Sequence, residues 1–129
     1  DSGGPCYCGK TGCVETLISG PALERYYHQA SGEQRRLRAI VQRHREGVDP
    51  HATATVERLI HFFGKGLSSV VNLLDPDAIV LGGGLGNIDL LYREGVDSLR
   101  HFVFNTRLDT PLLRPRLGDS AGVFGAALL

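Results

Sequence analysis

CYCGKTGCVE, residues 6–15, is the stretch that most constrains the fold, because it places three cysteines, two glycines and a carboxylate within ten residues. The two glycines allow the chain to fold back, so that Cys13 can return to the neighbourhood of Cys6 and Cys8. Thiolates favour zinc, and structural zinc takes four ligands in a tetrahedron. The spacing therefore predicts a zinc knuckle with Cys6, Cys8 and Cys13 as three of the ligands.

For these cysteines, a disulfide and plain buried thiols stay open as alternatives to zinc. A disulfide between Cys6 and Cys8 would close a very small strained ring, and an odd number of cysteines leaves one sulfur over. Plain buried thiols are common in proteins, although they rarely cluster among glycines and a lysine. The fourth zinc ligand is not evident: His61 falls beside an apolar helical stripe, where a half-exposed histidine is the simpler interpretation.

The composition restricts the class of protein. The 129 residues suffice for one domain with a hydrophobic core, and fourteen basic and fourteen acidic side chains cancel. No broad field therefore attracts nucleic acid or an anionic membrane.

No apolar run is long enough to span a bilayer, and the first residues lack the apolar core of a signal peptide. Together with a metal-like cysteine cluster, this predicts a soluble, cytoplasmic protein without a membrane partner. Because the chain contains no methionine, even at position 1, we expect it to be a fragment or a processed piece.

Apolar periodicity predicts a chain rich in helices. Short helical patterns begin at Val14 and behind Pro21, and the second one ends at Ser31 and Gly32. Residues 33–46 are polar with one narrow apolar face and five arginines. They predict a solvated surface helix rather than a nucleic-acid patch, because the net charge is zero and no aromatic residues are interleaved.

The strongest periodicity runs over residues 56–74 and predicts a long helix that is buried on one side, with Asp49 and Pro50 at the start of the segment. Gly64 and Gly66 lower the helix propensity by roughly 1 kcal/mol each relative to alanine. We therefore expect another backbone to pass close to both glycines.

A strand followed by a glycine turn comes next. Residues 78–81 are a short apolar run of the kind buried in a parallel sheet, and they lead into Gly82-Gly83-Gly84 and a helical pattern that continues to Leu99. This order brings backbone amides against a phosphate or a nucleotide. Asn87 stands where a dinucleotide fingerprint needs glycine, and no Walker ending is present. Nucleotide contact and a purely structural turn both stay open on these grounds.

The last part of the chain predicts an edge strand and a small-residue helix. Pro115 excludes a central strand for residues 112–117, and residues 121–129 form a helix behind Gly118-Asp119-Ser120. The GxxxG spacing of Gly118 and Gly122 lies outside a long apolar segment, so it says little about dimers in a membrane.

Three motifs in this order, CYCGKTGCVET, LDPDAIVLGGGL and GDSAGVFGAALL, resemble the C-terminal half of the ROK family of bacterial sugar kinases and sugar-responsive repressors. The resemblance covers nearly the whole chain, is loose between residues 25 and 56, and is most similar to the fructokinase or manno(fructo)kinase branch. It implies an α/β fold: the C-terminal lobe of an actin-like, ribonuclease H-like kinase, helix-rich with a small sheet. On this view residues 1–129 form that lobe, with the zinc knuckle at 1–15 and the strand and glycine loop at 78–87.

The resemblance also implies roles for single residues. Cys6, Cys8 and Cys13 match the family's zinc thiolates, and its histidine ligand would lie before Asp1. Glu15 matches the carboxylate that hydrogen-bonds sugar hydroxyls. The LGGG turn matches the loop beside adenine and ribose, so Gly83 and Gly84 are expected to contact ATP. Zinc, ATP and magnesium are the implied cofactors, and a homodimer is the implied assembly.

Several family motifs have no match here: the N-terminal phosphate-binding motif, the catalytic aspartate and the Glu-x-x-His segment. The N-terminal lobe is therefore expected to be absent from this chain, which by itself should be inactive. The implied function is that of an ATP-dependent hexose kinase, with fructose phosphorylated at its 6-hydroxyl. One alternative is a sugar-sensing repressor with a helix-turn-helix before Asp1, the only case in which nucleic acid would be a partner. Another is a zinc-stabilised interaction domain unrelated to sugars.

Overall fold

The computed structural model describes residues 3–116 together with Ala126. The chain divides into two compact units, residues 1–62 and 63–129, and the boundary falls within the longest helix. Within the described residues, no helix combines the length and the apolar character that crossing a bilayer requires.

The first unit consists of helices that follow the cysteine-rich loop. Its elements are α1 (Glu15–Ile18), α2 (Gly20–Ser31), α3 (Leu37–Glu46) and the beginning of α4 (Pro50–Leu74). Helix α2 begins behind Ser19, whose hydroxyl accepts a hydrogen bond from the Ala22 N–H at 3.3 Å. It ends at Gly32, whose φ of 75° is the left-handed conformation that suits glycine at a helix C-terminus. The predicted end of this helix is confirmed.

Asp49 joins three helices of the first unit. Its Oδ1 accepts the backbone N–H groups of His51 (2.9 Å) and Ala52 (3.1 Å), and so caps the start of α4. Its Oδ2 accepts the Tyr27 hydroxyl of α2 at 2.6 Å, and Arg43 Nε of α3 lies 2.9 Å from the same oxygen. That Arg43 nitrogen has no hydrogen-bond partner of acceptable geometry among the described residues, so it contributes its charge rather than an aligned hydrogen bond.

The surroundings of Asp49 shift two ionisation equilibria. The Tyr27 hydrogen bond, the two N–H groups and the Arg43 charge hold the pKa of Asp49 below its ordinary value of 3.8, against the opposing effect of burial. Burial and the hydrogen bond to Asp49 raise the pKa of Tyr27. Tyr27, Ile40 and Ala52 are fully buried and form one cluster of the core, to which the same unit adds buried Leu23, Val56 and Leu59.

The second unit contains the rest of α4, a two-stranded sheet and short helices. In chain order these are β1 (Ile79–Val80), two 3-10 helices (Gly84–Asn87 and Asp89–Tyr92), α5 (Glu94–Phe102) and β2 (Leu112–Leu113). The strands are parallel, with Ile79 opposite Leu112 and Val80 opposite Leu113. Among the residues of this unit that the structure describes, the buried apolar side chains are Phe63, Val71, Leu90, Leu91 and Leu99.

Helices α4 and α5 approach each other closely at Gly64. A Cβ atom on Gly64 would lie 2.6 Å from the carbonyl carbon of Ser98 and 2.7 Å from the nitrogen of Leu99, so that only glycine fits there. The predicted approach of a second backbone is confirmed for Gly64. It is wrong for Gly66, where a Cβ would meet no atom of residues 3–116 within 4 Å, because that position lies on another side of α4.

Some elements differ from the sequence-based expectation. Helix α3 begins at Leu37 rather than near residue 33, because Arg36 is extended (ψ 146°). The predicted buried strand at 78–81 is reduced to β1, and its Val80 side chain is 58% exposed since no described residue covers it. The predicted edge strand is likewise shortened to β2, and the helix predicted for residues 121–129 lies outside the described residues.

Candidate metal and nucleotide sites

The three cysteine sulfurs lie together at the beginning of the first unit. The Sγ atoms of Cys6, Cys8 and Cys13 are all within 4.8 Å of one another, and those of Cys8 and Cys13 are 3.5 Å apart. Cys6 and Cys13 are half-buried, Cys8 is exposed, and all three are free thiols. The structure thus brings together the three residues that the sequence predicts as zinc ligands.

Residues 3–15, called the knuckle below, form the loop that carries the three cysteines. Backbone hydrogen bonds between residues 4 and 12 fold this loop back on itself. The Cys6 N–H donates to the Lys10 carbonyl at 2.7 Å, and the Gly12 N–H donates to the Gly4 carbonyl at 3.1 Å. An isolated antiparallel bridge joins Pro5 to Thr11. The glycines at positions 9 and 12 have φ values of 83° and 80°, which other residues rarely adopt. Glycine is therefore required at the points where the chain reverses.

The sulfur cluster fits a zinc ion. A zinc–sulfur bond of about 2.3 Å in a tetrahedron separates sulfurs by about 3.8 Å, which is close to the spacing of this cluster. Without metal, the pKa of the Cys8 thiol is lowered, chiefly by the Lys10 backbone N–H, while the pKa of Cys13 is raised to about 11 because its thiol is hydrogen-bonded to the other two. Within residues 3–116, no fourth cysteine, histidine or carboxylate joins the cluster.

Glu15 follows the knuckle directly as the first residue of α1. The next residue ties that helix to the loop, since both the backbone N–H and the hydroxyl of Thr16 donate to the Cys13 carbonyl, at 2.9 and 2.7 Å. The Glu15 side chain is exposed and forms no hydrogen bond or ion pair with any residue that the structure describes. Its carboxylate is therefore available to a ligand.

The glycine turn of the second unit, residues 82–87, follows β1. A Cβ atom added to Gly82, Gly83 or Gly84 would meet no atom of the described residues within 4 Å, so these residues leave this side of the turn open. Gly83 has a φ of 71° and requires glycine. Its carbonyl accepts the Gly86 N–H at 3.0 Å, which closes the first turn of the 3-10 helix. The turn can thus present backbone groups to a ligand without obstruction by side chains.

The other side of the turn is closed by its own unit. A Cβ on Gly86 would collide with the Leu81 carbonyl oxygen, and the Tyr92 hydroxyl donates to the Gly86 carbonyl at 2.7 Å. The Arg114 guanidinium lies 4.2 Å from the centre of the Tyr92 ring and pairs with Asp89 at 2.7 Å. Neither Tyr92 nor Arg114 is predicted from the sequence, because no local spacing relates either residue to the turn.

The sequence is similar to named sugar kinases. It is 38% identical over 125 residues to the N-acetyl-D-glucosamine kinase of Pasteurella multocida and 32% identical over 124 residues to that of Vibrio atlanticus. Each alignment covers 96% of this chain, but 40% of the first relative and 41% of the second. The chain therefore spans about two fifths of the length of these relatives.

Solved structures share the fold. The ROK hexokinase of Thermus thermophilus superposes with a TM-score of 0.81 and 36% identity, over 96% of this chain and 42% of that one. The Streptomyces griseus ROK glucokinase in complex with glucose and AMPPNP superposes with a TM-score of 0.78 and 30% identity, over 93% of this chain and 45% of that one. A ROK family transcriptional regulator, a homologue of the E. coli MLC protein, superposes with a TM-score of 0.68 and 26% identity, over 84% of this chain and 30% of that one. These similarities confirm the predicted fold class, that of the actin-like sugar kinases. Because the sequence also matches the ROK family over residues 1–129, the chain belongs to the ROK family.

Proposed function

We propose that this chain is part of an ATP-dependent hexose kinase, to which it contributes groups that position the sugar and the nucleotide. The observation that carries the proposal is the knuckle, in which three sulfurs gather within 4.8 Å and an exposed carboxylate without a described partner follows two residues later. The names of the relatives and the glucose–AMPPNP complex of a structural neighbour support the same reaction class.

The names of two similar proteins support N-acetylglucosamine as the sugar. The relatives from Pasteurella multocida and Vibrio atlanticus are N-acetyl-D-glucosamine kinases, and the structural neighbours include a glucokinase and a hexokinase. The sequence motifs predict fructose instead, on resemblance alone. We therefore propose an N-acetylated hexosamine as the first substrate to test and fructose as the second.

Glu15 would recognise the sugar. A carboxylate accepts hydrogen bonds from two neighbouring hydroxyls, and a charged acceptor forms the stronger kind of hydrogen bond. Zinc bound by Cys6, Cys8 and Cys13 would fix the loop from which α1 starts, at a distance from the transferred phosphoryl group. Structural zinc supplies on the order of 10 kcal/mol in isolated peptides, which is ample for a loop that has little core of its own.

The open side of the glycine turn would contact the nucleotide through backbone groups of Gly83 and Gly84. Phosphoryl transfer further needs magnesium between the phosphates and a base for the sugar hydroxyl. The resemblance puts the catalytic aspartate outside this chain. The 129 residues by themselves are accordingly expected to phosphorylate no sugar, and measurable turnover by the purified fragment would contradict this division of roles.

A coupled assay of ADP release by the full-length protein tests the proposal, with N-acetylglucosamine, glucose, mannose and fructose as substrates. Glu15→Gln removes the charge but keeps the shape, so we expect kcat/KM for the sugar to fall at least about tenfold while the KM for ATP stays the same. Glu57→Gln is the matched control, because Glu57 is an exposed glutamate on α4 without a described partner. Equal effects of the two substitutions would contradict sugar binding by Glu15.

The similarity to a transcriptional regulator favours one alternative, a sugar-sensing repressor with the same zinc loop. The residues before Asp1 in the full-length protein distinguish the two functions: a catalytic aspartate near a phosphate motif supports the kinase, and a helix-turn-helix supports the repressor. Binding of operator DNA without any ADP release would establish the alternative. A homodimer remains a prediction for either function.

A further inference from the structure

A cleft in the first unit lies between helix α2 and the extended segment that precedes α3. It is an open depression with a volume of about 540 Å³, a size that a small molecule can occupy. Positions 21, 24, 25 and 28 of α2, which recur at helical spacing, form one wall, and residues 34–36 form the other. The lining residues are Pro21, Glu24, Arg25, His28, Gln34, Arg35 and Arg36.

The lining carries an excess of positive charge in a chain whose net charge is zero. With His28 neutral, three arginines and one glutamate give the cleft a formal charge of +2. Glutamine and histidine add further hydrogen-bond donors, so almost every polar group around the cleft can donate. Guanidinium groups in this number match the geometry of a phosphate, which they bind through paired N–H groups.

The single acidic group of the cleft lining is already engaged. Glu24 Oε1 accepts the backbone N–H of Leu37 at 2.9 Å, at the start of α3, and Glu24 Oε2 accepts Arg36 at 3.3 Å. The carboxylate thus stabilises the N-terminus of α3, where a negative charge is favourable. It does not neutralise the remaining arginines.

Arg25 and Arg35 are available to a ligand to different degrees. Arg25 is exposed and forms no ion pair or hydrogen bond with a residue that the structure describes. Arg35 pairs with Glu33 at 2.7 Å, but Glu33 also accepts Arg43 at 3.3 Å, so it can keep one partner if Arg35 turns toward a ligand. Exposed pairs of this kind contribute little stability and rearrange readily.

We propose that this cleft is a binding site for a phosphate-bearing small molecule, held by Arg25 and Arg35 with Arg36 at its edge. The site is built only from residues 21–36, and it does not depend on the kinase function proposed above. The shared chemistry is a phosphate dianion, which a sugar phosphate, a nucleotide or free phosphate could supply.

Calorimetric titration of the full-length protein tests the site and separates these sources. Inorganic phosphate, N-acetylglucosamine 6-phosphate and ATP are titrated in turn. Because the proposed kinase site would bind the sugar and ATP as well, binding at the cleft is identified as the part of the heat signal that Arg25→Gln/Arg35→Gln removes. In Arg25→Gln/Arg35→Gln we expect the affinity for the cleft ligand to fall about tenfold or more, the change expected for the loss of one charge-assisted hydrogen bond. Arg38→Gln is the matched control, since Arg38 is an exposed arginine of α3 that does not line the cleft.

Each outcome decides the proposal. A phosphate ligand whose binding is lost in the double variant and kept in Arg38→Gln supports the site, and the titrant that shows this effect identifies the source. Absence of saturable phosphate binding, equal loss in both variants, or binding that neither variant changes would overturn it. If the double variant fails to fold, Arg25→Lys/Arg35→Lys keeps the charge without the paired N–H groups and should still weaken binding severalfold; unchanged affinity in that variant would also overturn the proposal.

Discussion

The knuckle and the glycine turn are both glycine-rich loops, but they are held in different ways. In the knuckle, no residue between 3 and 15 is fully buried, and the three sulfurs lie within 4.8 Å of one another at the surface of the unit. In the glycine turn, Gly86 is buried against the Leu81 carbonyl, and the Tyr92 hydroxyl holds the Gly86 carbonyl from the same side.

The difference indicates what each loop needs in order to keep its shape. A loop without a core requires an external crosslink, and a metal supplies it with the fewest residues. A loop packed against its own unit needs none, and its exposed side can remain free of side chains. We therefore expect metal loss to disorder the knuckle and to leave the glycine turn intact.

Removing one sulfur should have the largest effect. In the full-length protein, Cys13→Ser is expected to lower zinc affinity at least about a hundredfold and to abolish sugar binding, because a hydroxyl is a poor zinc ligand and the loop before Glu15 loses its anchor. Zinc content by mass spectrometry and amide exchange measure the two effects. Exchange should accelerate in residues 3–15 and stay unchanged in residues 82–87. Lys10→Gln leaves the sulfurs in place and serves as the control; full zinc retention in Cys13→Ser would contradict the site.

A methyl group on the buried side of the glycine turn should have the next largest effect. Gly86→Ala forces a Cβ against the Leu81 carbonyl, and overpacking of this kind costs about 1–3 kcal/mol. Gly84→Ala has open space around its Cβ and should leave the free energy of unfolding within about 0.5 kcal/mol of the wild type. Urea denaturation measures both.

The same pair of variants tests the nucleotide contact. Gly84→Ala adds a methyl group to the open side of the turn, so it should raise the KM for ATP severalfold without loss of stability. An unchanged KM for ATP would mean that the open side of the turn does not face the nucleotide.

Acid titration should separate metal loss from unfolding of the first unit. Thiolate ligands must lose their protons to bind zinc, so zinc is expected to leave at a higher pH than the pH at which Asp49 is protonated. Asp49 has a lowered pKa in the folded state, so its contribution is fully present above its ordinary pKa of 3.8 and is lost as the pH falls through the lowered pKa.

Asp49→Asn keeps the capping oxygen but removes this acid-dependent contribution, so its free energy of unfolding should change less than that of the wild type as the pH falls from above 3.8 through the lowered pKa. Asp97→Asn, at an exposed aspartate of α5, is the control and should retain the wild-type dependence. A coincident loss of zinc and of helical structure in the wild type would show that the knuckle and the Asp49 contacts are not independent.

The sequence predicted the knuckle and most helix boundaries, because their causes are local. Cysteine spacing and two obligatory glycines define the loop within ten residues, and α2 ends where Gly32 permits the left-handed conformation. Gly64 and Gly66 show where local information ends. Both glycines interrupt the helical pattern in the same way, but only Gly64 lies on the side of α4 that contacts Ser98. Which side of a helix contacts a neighbour is decided by tertiary packing, and the local sequence does not contain that information.

The arginines of residues 33–46 show the same limit. Sequence patterning treats them as one solvated helix face, whereas the structure engages Arg43 with Asp49, Arg36 with Glu24 and Arg35 with Glu33. The extended backbone at Arg36, which has no signal in the apolar pattern, separates residues 34–36 from α3 and lets them form a wall of the cleft. The cleft could not be predicted because one of its two walls is defined by that backbone.

Loss of the Tyr92 hydroxyl, which donates to the Gly86 carbonyl of the glycine turn, should have the smallest effect on stability and on the KM for ATP. Tyr92→Phe removes the hydrogen bond to the Gly86 carbonyl while the ring can stay under the Arg114 guanidinium, so we expect a loss of about 1 kcal/mol and a rise of a few fold in the KM for ATP. Tyr26→Phe is the matched control. That ring also lies beneath an arginine, Arg58 at 4.6 Å, and its hydroxyl has no described partner, so its removal should be nearly neutral. If the two variants behave alike, the turn is held by the packing of Gly86 alone. If Tyr92→Phe instead lowers stability as much as Gly86→Ala, the hydroxyl is the main support of the turn, and this loop depends on one contact, as the knuckle is proposed to depend on a metal.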